Sequence, residues 1–222
     1  TRVNADFGNG QPSEQFVLGN IHHLTEEPWE CCTRSILKAA LKRLENIAGV
    51  KLVSAFEHEF HFHDGGCALG SGYTASGFRI ARDFAETLMA VVRDAGLEPD
   101  TFMKEYGVNQ YEVTIKPATG LTAADHAVIL RELVYITAEQ LDRRASFSPL
   151  RDPAGVGNGV HIHMSFRDKQ DNPVTYDTAH QQGLSQLTEH FIAGILKYLD
   201  RIVAITAPSI VSYLRLTPHR WS

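Results

Sequence analysis

The chain has 222 residues, of which 43% are hydrophobic, enough to bury one substantial core or one large domain with a small appendage. Its net charge of −5 argues against a general nucleic-acid surface, which requires a basic field, but allows a local pocket for a nucleotide phosphate. Cys31, Cys32 and Cys67 fit neither a disulfide framework nor a zinc spacing, which indicates a reducing cytoplasm. The apolar run at residues 191–196 is too short to span a bilayer and no signal peptide is recognised, so we expect no membrane partner.

The first half of the chain predicts an irregular start followed by alternating helices and strands. Residues 1–28 are polar and lack periodicity, so we expect an irregular lead-in. The following elements are predicted in chain order: a helix over Thr33–Ala48 that ends at Gly49, a strand from about Val50 to Phe62, a loop with five glycines over Gly65–Gly77, and a helix from Phe78 that ends at Gly96.

The second half continues the alternation. Its predicted elements are a turn at Glu98–Asp100, a strand over Gln110–Ile115, a helix from the capping-box-like Thr122–Asp125 to about Arg144, a glycine hinge at Gly155–Gly159, a strand over Val160–Phe166, a hairpin-like segment around Asp171–Pro173 and a long helix over Leu184–Ile205. We expect an α+β domain with a curved, mainly antiparallel sheet, helices packed outside it and charge on its concave face.

The predicted strand before His63 carries an unusual pattern of acids and imidazoles. Side chains alternate between the two faces of a strand, which places Glu57, Glu59, His61 and His63 on one face and Phe56, His58, Phe60 and Phe62 on the other. Two neighbouring carboxylates repel each other and are costly to desolvate, and a bound cation offsets both costs. Oxygen ligands favour Mg²⁺ or Mn²⁺, although an exposed edge strand would explain the pattern as well.

Two later clusters strengthen the metal hypothesis. The first contains Glu105, Gln110 and Glu112, and the second contains Gly157, Gly159, His161, His163 and Ser165. Taken singly, each has an ordinary explanation: a solvated glutamate, a pair of hydrogen-bonded imidazoles, or a glycine loop without the context of a nucleotide fingerprint. Together, three strands that each place acids or imidazoles on one face favour a site for two hard divalent ions, with His163 left to meet a phosphate.

The order and spacing of these motifs resemble the glutamine synthetase family over roughly residues 29–218. The matching residues are Trp29 with Arg34, Glu57-x-Glu59, Glu105 with Gln110-x-Glu112, Gly157-x-Gly159-x-His161-x-His163-x-Ser165, and Pro208-x-x-x-Ser212-Tyr213-x-Arg215-x-x-Pro218. The resemblance implies that residues 29–222 are part of a catalytic domain, without the family's small N-terminal domain and its C-terminal remainder. The chain starts at Thr1 rather than a methionine, and we expect it to be a piece of a longer protein.

The resemblance also implies roles for single residues. Glu59, Glu105 and Glu112 would hold one Mg²⁺ or Mn²⁺, Glu57 and His161 the second, His163 and Ser165 would contact ATP, Gly157 would lie beside glutamate, and Arg215 would bind the glutamate carboxylate. The implied reaction is phosphoryl transfer from ATP to the side-chain carboxylate of glutamate, followed by attack of ammonia or an amine on the acyl phosphate. The implied assembly is a homo-oligomeric ring of the full-length protein.

Two positions depart from the family's pattern. Leu150-Arg151 stand where lysine-proline is usual, so a nearby charge would be supplied differently. Trp221 stands where ammonia-using members carry a flap glutamate, and an indole favours an organic amine through apolar contact or cation–π attraction. The main hypothesis is therefore a carbon–nitrogen ligase, inactive as a fragment. The alternatives are a non-catalytic module of the same fold and a plain metal-dependent hydrolase.

Overall fold

A computed structural model describes residues 1–66 and 71–218. The strands in these ranges are β1 (Arg2–Ala5), β2 (Glu14–Val17), β3 (Lys51–Phe62), β4 (Pro99–Lys104), β5 (Gln110–Ile115), β6 (Ala118–Thr119), β7 (Ala145–Ser146) and β8 (Val160–Arg167). The helices are α1 (Thr33–Ala48), α2 (Ala75–Ile80), α3 (Arg82–Asp94), α4 (Leu121–Gln140), α5 (Gln186–Lys197), α6 (Leu199–Thr206) and α7 (Ile210–Arg215). The described ranges contain no helix that combines the length and apolar character needed to cross a membrane.

The long strand β3 lies at the centre of the main sheet. It pairs with β5 through residues 57–61 and with β8 through residues 51–58, and both pairings are antiparallel. Because residues 57 and 58 pair with both neighbours, β5 and β8 lie on opposite edges of β3. Strand β4 pairs with the outer edge of β5, and the short β6 and β7 also pair with β3. The prediction of a mainly antiparallel sheet within an α+β fold is confirmed.

One face of this sheet packs against helices and forms the core. Phe60 and Phe62 of β3 are almost fully buried, and the ring centroids of Phe62 and Phe84 are 4.8 Å apart. Helix α4 contributes Leu130 and Leu133 to the same cluster. Burying side chains of this size contributes about 1.5–3 kcal/mol each. The core therefore fixes one face of β3, which leaves Glu57 and Glu59 on the opposite face.

The lead-in at residues 1–28 is not irregular throughout, which corrects the prediction. Strands β1 and β2 form an antiparallel pair, and Val3 and Ala5 of β1 are buried in the main core. The apolar alternation involves only these two positions, which is too short a pattern to identify in a polar segment. Contact with the core stabilises the pair.

Two predicted helices are interrupted in the structure. The helix expected from Phe78 to Gly96 breaks at Ala81 (φ −111°, ψ 20°) into α2 and α3. The helix expected over Leu184–Ile205 breaks at Tyr198 (φ −113°, ψ 14°) into α5 and α6. Both conformations lie outside the α-helical region. Apolar periodicity reports which residues face the core and does not detect a one-residue break of this kind.

Two local predictions at element ends are also wrong. Pro99 and Asp100 begin strand β4 instead of forming a turn, and proline is tolerated at the first position of a strand, where no amide N–H is needed. Helix α4 starts at Leu121, so the expected cap Thr122 lies inside its first turn and Gly120 occupies the N-cap without a side-chain hydrogen bond, while Asp125 accepts hydrogen bonds from Arg34. By contrast, the prediction of α1 over Thr33–Ala48 is confirmed, and Gly49 ends it in the left-handed conformation (φ 69°).

Candidate metal and substrate site

Three neighbouring strands bring the predicted acids and imidazoles to the face of the sheet opposite the core. In the strand register, Glu57 of β3 lies across from His161 of β8, and Glu59 lies across from Glu112 of β5. Glu105 follows β4, and its amide N–H donates to the carbonyl of Gln110 at the start of β5. We call Glu57, Glu59, Glu105 and Glu112 the acidic cluster.

The densest group of potential metal ligands consists of Glu57, Glu112 and His161. One ligand atom from each lies within 4.8 Å of the others. The two imidazoles of β8 both contact Glu57: His161 Nδ1 is 3.1 Å from Oε2, and His163 Nε2 is 2.8 Å from Oε1. His163 thus lies beside the acidic cluster, where a phosphate near the cluster would meet it. Ser165 occupies the same face of β8 further along, opposite Val53.

Glu59 and Glu105 are held by hydrogen bonds from their surroundings. Glu59 Oε2 accepts from Gln110 Nε2 at 2.9 Å and from the Gly159 amide at 3.1 Å. Glu105 Oε2 lies 3.4 Å from the hydroxyl of Tyr73. The carboxylate of Glu59 is therefore oriented before any ligand arrives, whereas the contact of Glu105 is long and weak.

The acidic cluster carries uncompensated negative charge. Burial raises the pKa of Glu112 to about 7, and repulsion from Glu57, Glu105 and Glu59 adds to the effect. Burial likewise raises the pKa of Glu59, with the Gly159 amide opposing the shift and Glu105 supporting it. Two buried and two half-buried carboxylates that repel one another, joined by an imidazole, form the oxygen-rich donor set that Mg²⁺ and Mn²⁺ prefer. These residues fit a divalent cation site.

Arg215 packs closely against the glycine segment, residues 155–159. A Cβ atom added to Gly157 would lie 2.7 Å from Arg215 Cδ, and one added to Gly159 would lie 2.8 Å from its Nη2. Glycine is needed at both positions because a side chain there would displace the arginine. The Nε atom of Arg215 is buried and has no hydrogen-bond partner among residues 1–66 and 71–218. The positive charge lies close enough to Glu59 to oppose the rise of its pKa.

Two buried polar residues that have no predicted role from the sequence also shape the site. Lys104 Nζ donates to the carbonyls of Glu105 and Gly107 and so fixes the turn that carries Glu105. Asn158 Nδ2 donates to the carbonyls of Ser146 and Ser148 at 3.3 and 2.9 Å. A lysine at the end of a strand and an asparagine between glycines are both ordinary in sequence, and only their burial shows their importance.

Leu150 and Arg151, the first departure from the family's pattern, lie next to the end of β3. Leu150 is buried, whereas Arg151 Nη1 donates to the carbonyl of Phe62 at 2.9 Å and Nη2 lies 3.4 Å from His63 Nδ1. Burial lowers the pKa of His61 to about 4, and the charge of Arg151 adds to this effect. The second departure, Trp221, lies outside the described residues.

Comparison with known proteins agrees with this geometry. The family model "Glutamine synthetase, catalytic domain" matches residues 30–222. The chain is 29% identical over 95% of its length to type-1 glutamine synthetase 1 of Dictyostelium discoideum, covering 46% of that protein. It is 31% identical over 91% of its length to the gamma-glutamylpolyamine synthetase GlnA3 of Streptomyces coelicolor, covering 45% of that protein.

A solved structure supports the same assignment. The crystal structure of a novel glutamine synthase homolog superimposes with a TM-score of 0.92 at 38% identity, over 99% of this chain and 52% of the other. The chain thus spans about half the length of the relatives it matches. Since the family model covers most of the chain and the fold agrees, this chain belongs to the glutamine synthetase family, and residues 30–222 match its catalytic domain.

Proposed function

We propose that the longer protein containing this chain is an ATP-dependent ligase that activates the side-chain carboxylate of glutamate and joins it to a nitrogen nucleophile. The observation that carries the proposal is the convergence of Glu57, Glu112 and His161 within 4.8 Å, with Glu59 and Arg215 beside them. A non-catalytic module would not require several buried, mutually repelling carboxylates. Family membership supports the same class of reaction.

The acidic cluster would hold two divalent cations. Glu57 with His161 would hold one cation, and Glu59, Glu105 and Glu112 would hold the other. Burial, and then repulsion from Glu57, Glu105 and Glu59, raises the pKa of Glu112, and a bound cation would offset both effects. When bound, Mg²⁺ or Mn²⁺ would neutralise the charge that develops on the transferring phosphoryl group. The protein supplies carboxylates already oriented by hydrogen bonds, so little reorganisation is needed.

The remaining site residues would bind and orient the two substrates. Arg215 offers a bidentate guanidinium to the carboxylate of glutamate, and Gly157 lets the arginine side chain lie directly against the glycine segment. His163 and Ser165 on β8 would contact ATP. A glutamate side-chain oxygen would then attack the γ-phosphorus as ADP leaves, and the nucleophile would attack the resulting carbonyl, expelling phosphate and losing a proton.

Trp221, at the position of the family's flap glutamate, bears on the choice of nitrogen nucleophile. Capturing ammonium requires a carboxylate that replaces its hydration and accepts a proton, and an indole provides neither. An indole offers an apolar face to a methylene chain or ring, worth about 1.5–3 kcal/mol when buried. We therefore assign an organic amine as the preferred nucleophile. Relatives named for glutamine synthesis and for gamma-glutamylpolyamine synthesis match the chain at similar identity, so Trp221 alone supports this preference.

The test is phosphate release by the longer protein with ATP, Mg²⁺ and glutamate, across a panel of primary amines and ammonium. A primary amine should give the highest kcat/KM. Replacement of Trp221 by glutamate should shift the preference toward ammonium, whereas the same change at the only other tryptophan, Trp29, should leave the preference unchanged. The amine assignment is wrong if ammonium is the best acceptor of the unaltered protein. Absence of release with every acceptor would instead favour the non-catalytic module.

A further inference from the structure

We propose that Gln110 is a positioning residue that fixes the orientation of Glu59 and couples it to the other parts of the acidic cluster. The inference rests on the proposed function and deepens it, because it assigns a task to a residue that would touch neither substrate nor metal. Gln110 is 1% exposed, so its carboxamide must satisfy its hydrogen bonds within the protein.

The carboxamide of Gln110 contacts three separate segments. Its Nε2 lies 2.9 Å from Glu59 Oε2, 2.8 Å from the Gly157 carbonyl and 3.1 Å from Asn158 Oδ1. Its Oε1 accepts from the Gly107 amide at 2.8 Å, within the turn between Glu105 and Gln110. One side chain thus connects β3, the glycine segment and the turn that carries Glu105.

These partners allow only one orientation of the amide group. Glu59 and Gly157 offer acceptor atoms to the nitrogen, and Gly107 offers a donor to the oxygen. A flipped amide would place an oxygen against a carboxylate and a carbonyl, and an NH₂ group against an N–H. A Gln110 side chain anchored at both ends is therefore a rigid support for the carboxylate of Glu59.

Gln110 forms its hydrogen bond with one of the two carboxylate oxygens of Glu59. Within the described ranges, the hydrogen bonds from Gln110 and from the Gly159 amide both reach Oε2. This leaves Oε1 for a cation. Residues that orient a metal ligand in this way commonly change metal affinity 10–100-fold when they are replaced.

Asn158 in turn holds the carboxamide of Gln110 in place. Asn158, next to Gln110, is itself fixed by the carbonyls of Ser146 and Ser148. His61, which pairs with Gln110 across β3 and β5, is buried in the same region. The polar network therefore runs from β7 and the residues after it, through Asn158 and Gln110, to Glu59. Gln110 and Asn158 are buried, so a hydrogen bond lost from either one leaves a polar group unsatisfied.

The test is the Mn²⁺ affinity of the intact protein, measured by electron paramagnetic resonance without substrates. Gln110→Met keeps the shape of the side chain and removes its hydrogen bonds, and it should weaken Mn²⁺ binding roughly 10–100-fold. Gln110→Glu keeps a polar group that can accept from Gly107 but repels Glu59, and it should weaken binding at least as much. Gln140→Met is the matched control, because Gln140 bonds Asn9 at the exposed end of α4, and it should leave the affinity unchanged.

A crystal structure of Gln110→Met gives a readout that does not depend on metal. The Glu59 carboxylate should leave the Gly159 amide or become disordered. Mn²⁺ affinity within twofold of the parent, or an unmoved Glu59 in that crystal structure, would overturn the positioning role. Failure of the parent to bind Mn²⁺ would count against the proposed function alone, since the position of Glu59 in the variant still decides the inference about Gln110.

Discussion

At the scale of single residues, strand β3 lies between buried ionisable side chains on both of its faces, and their burial costs free energy of folding. On the face with the acidic cluster, burial and like charge raise the pKa of Glu112. A bound divalent cation would lower this pKa again. On the core side, His58 is buried between Phe56 and Phe147, with ring centroids 6.3 and 5.9 Å away. Both ring nitrogens of His58 lack a hydrogen-bond partner in the described part of the chain. Burying polar ring nitrogens without partners costs free energy of folding.

Replacing His58 by phenylalanine should stabilise the protein, and more so in acid. Burial lowers the pKa of His58 to about 4, with repulsion from Arg131 as a second cause. Between the unfolded pKa near 6.5 and that value, the unfolded chain binds more protons, so stability falls as the pH drops. Urea unfolding should show that His58→Phe reduces this acid loss, by up to about 3 kcal/mol at pH 4.

The exposed His190 provides the control, since His190→Phe removes an imidazole from the surface rather than from the core, and the acid slopes of the two variants are compared. An unaltered acid slope in His58→Phe would show that His58 is protonated in the folded state or is satisfied by water.

At the scale of elements, an ion pair connects α1 to α4. Arg34 Nε and Nη2 donate to the two oxygens of Asp125, each at 2.9 Å, and Asp125 is buried. Hydrogen bonding from Arg34 lowers the pKa of Asp125, and partial burial opposes this shift. The pair fixes α1 on the outer side of α4.

Asp125→Ala should destabilise the protein by roughly 2–4 kcal/mol, because it removes two charge-assisted hydrogen bonds from Arg34 and one from the Thr1 hydroxyl, and leaves the Arg34 charge without its partner. Because the folded pKa of Asp125 is lowered, this stability is present above the unfolded pKa and is lost as the pH falls through the folded value. Chemical denaturation at neutral and acidic pH measures both effects.

The exposed pair Arg82–Glu86 on α3 is the matched control, with its charged atoms 2.7 Å apart. Glu86→Ala should cost at most about 1 kcal/mol, since exposed ion pairs are screened by solvent. Equal losses in the two variants would contradict the role of the Arg34–Asp125 pair.

At the scale of the whole molecule, the chain leaves large apolar side chains uncovered. Leu196, Ile205 and Ile210, on α5, α6 and α7, are 66%, 78% and 83% exposed. Val160, Ile162 and Met164 form an exposed apolar row on β8, on the face opposite His161 and His163. Contiguous apolar surface of this kind is usually covered by further protein. The chain also spans only about half of its relatives.

The 222 residues alone should therefore bind a hydrophobic dye strongly and release no phosphate from ATP in the presence of glutamate and amine. The longer protein, assayed at the same concentration, is the control and should show weaker dye binding and measurable turnover. Robust turnover by the 222 residues would contradict the prediction that the fragment is an incomplete catalyst.

Local patterns were sufficient to predict several elements from sequence. The boundaries of α1 and β5 agree with the prediction, because an amphipathic period, a terminal glycine and a run of strand-forming residues are all local signals. The alternation along β3 also predicted which side chains share a face. The order and spacing of the acids and imidazoles identified the family before any geometry was known.

Tertiary structure decided what depends on residues distant in sequence. Strand register placed His161 and His163 on Glu57, and packing against the core made β1 a strand. Burial, which no local pattern reports, made Gln110 and Asn158 part of a connected polar network and raised the pKa of Glu112. The sequence by itself determined which chemical groups the protein carries. Only the pairing of strands and the exclusion of water determined which groups meet and in which protonation state, because both effects arise from contacts between segments separated along the chain.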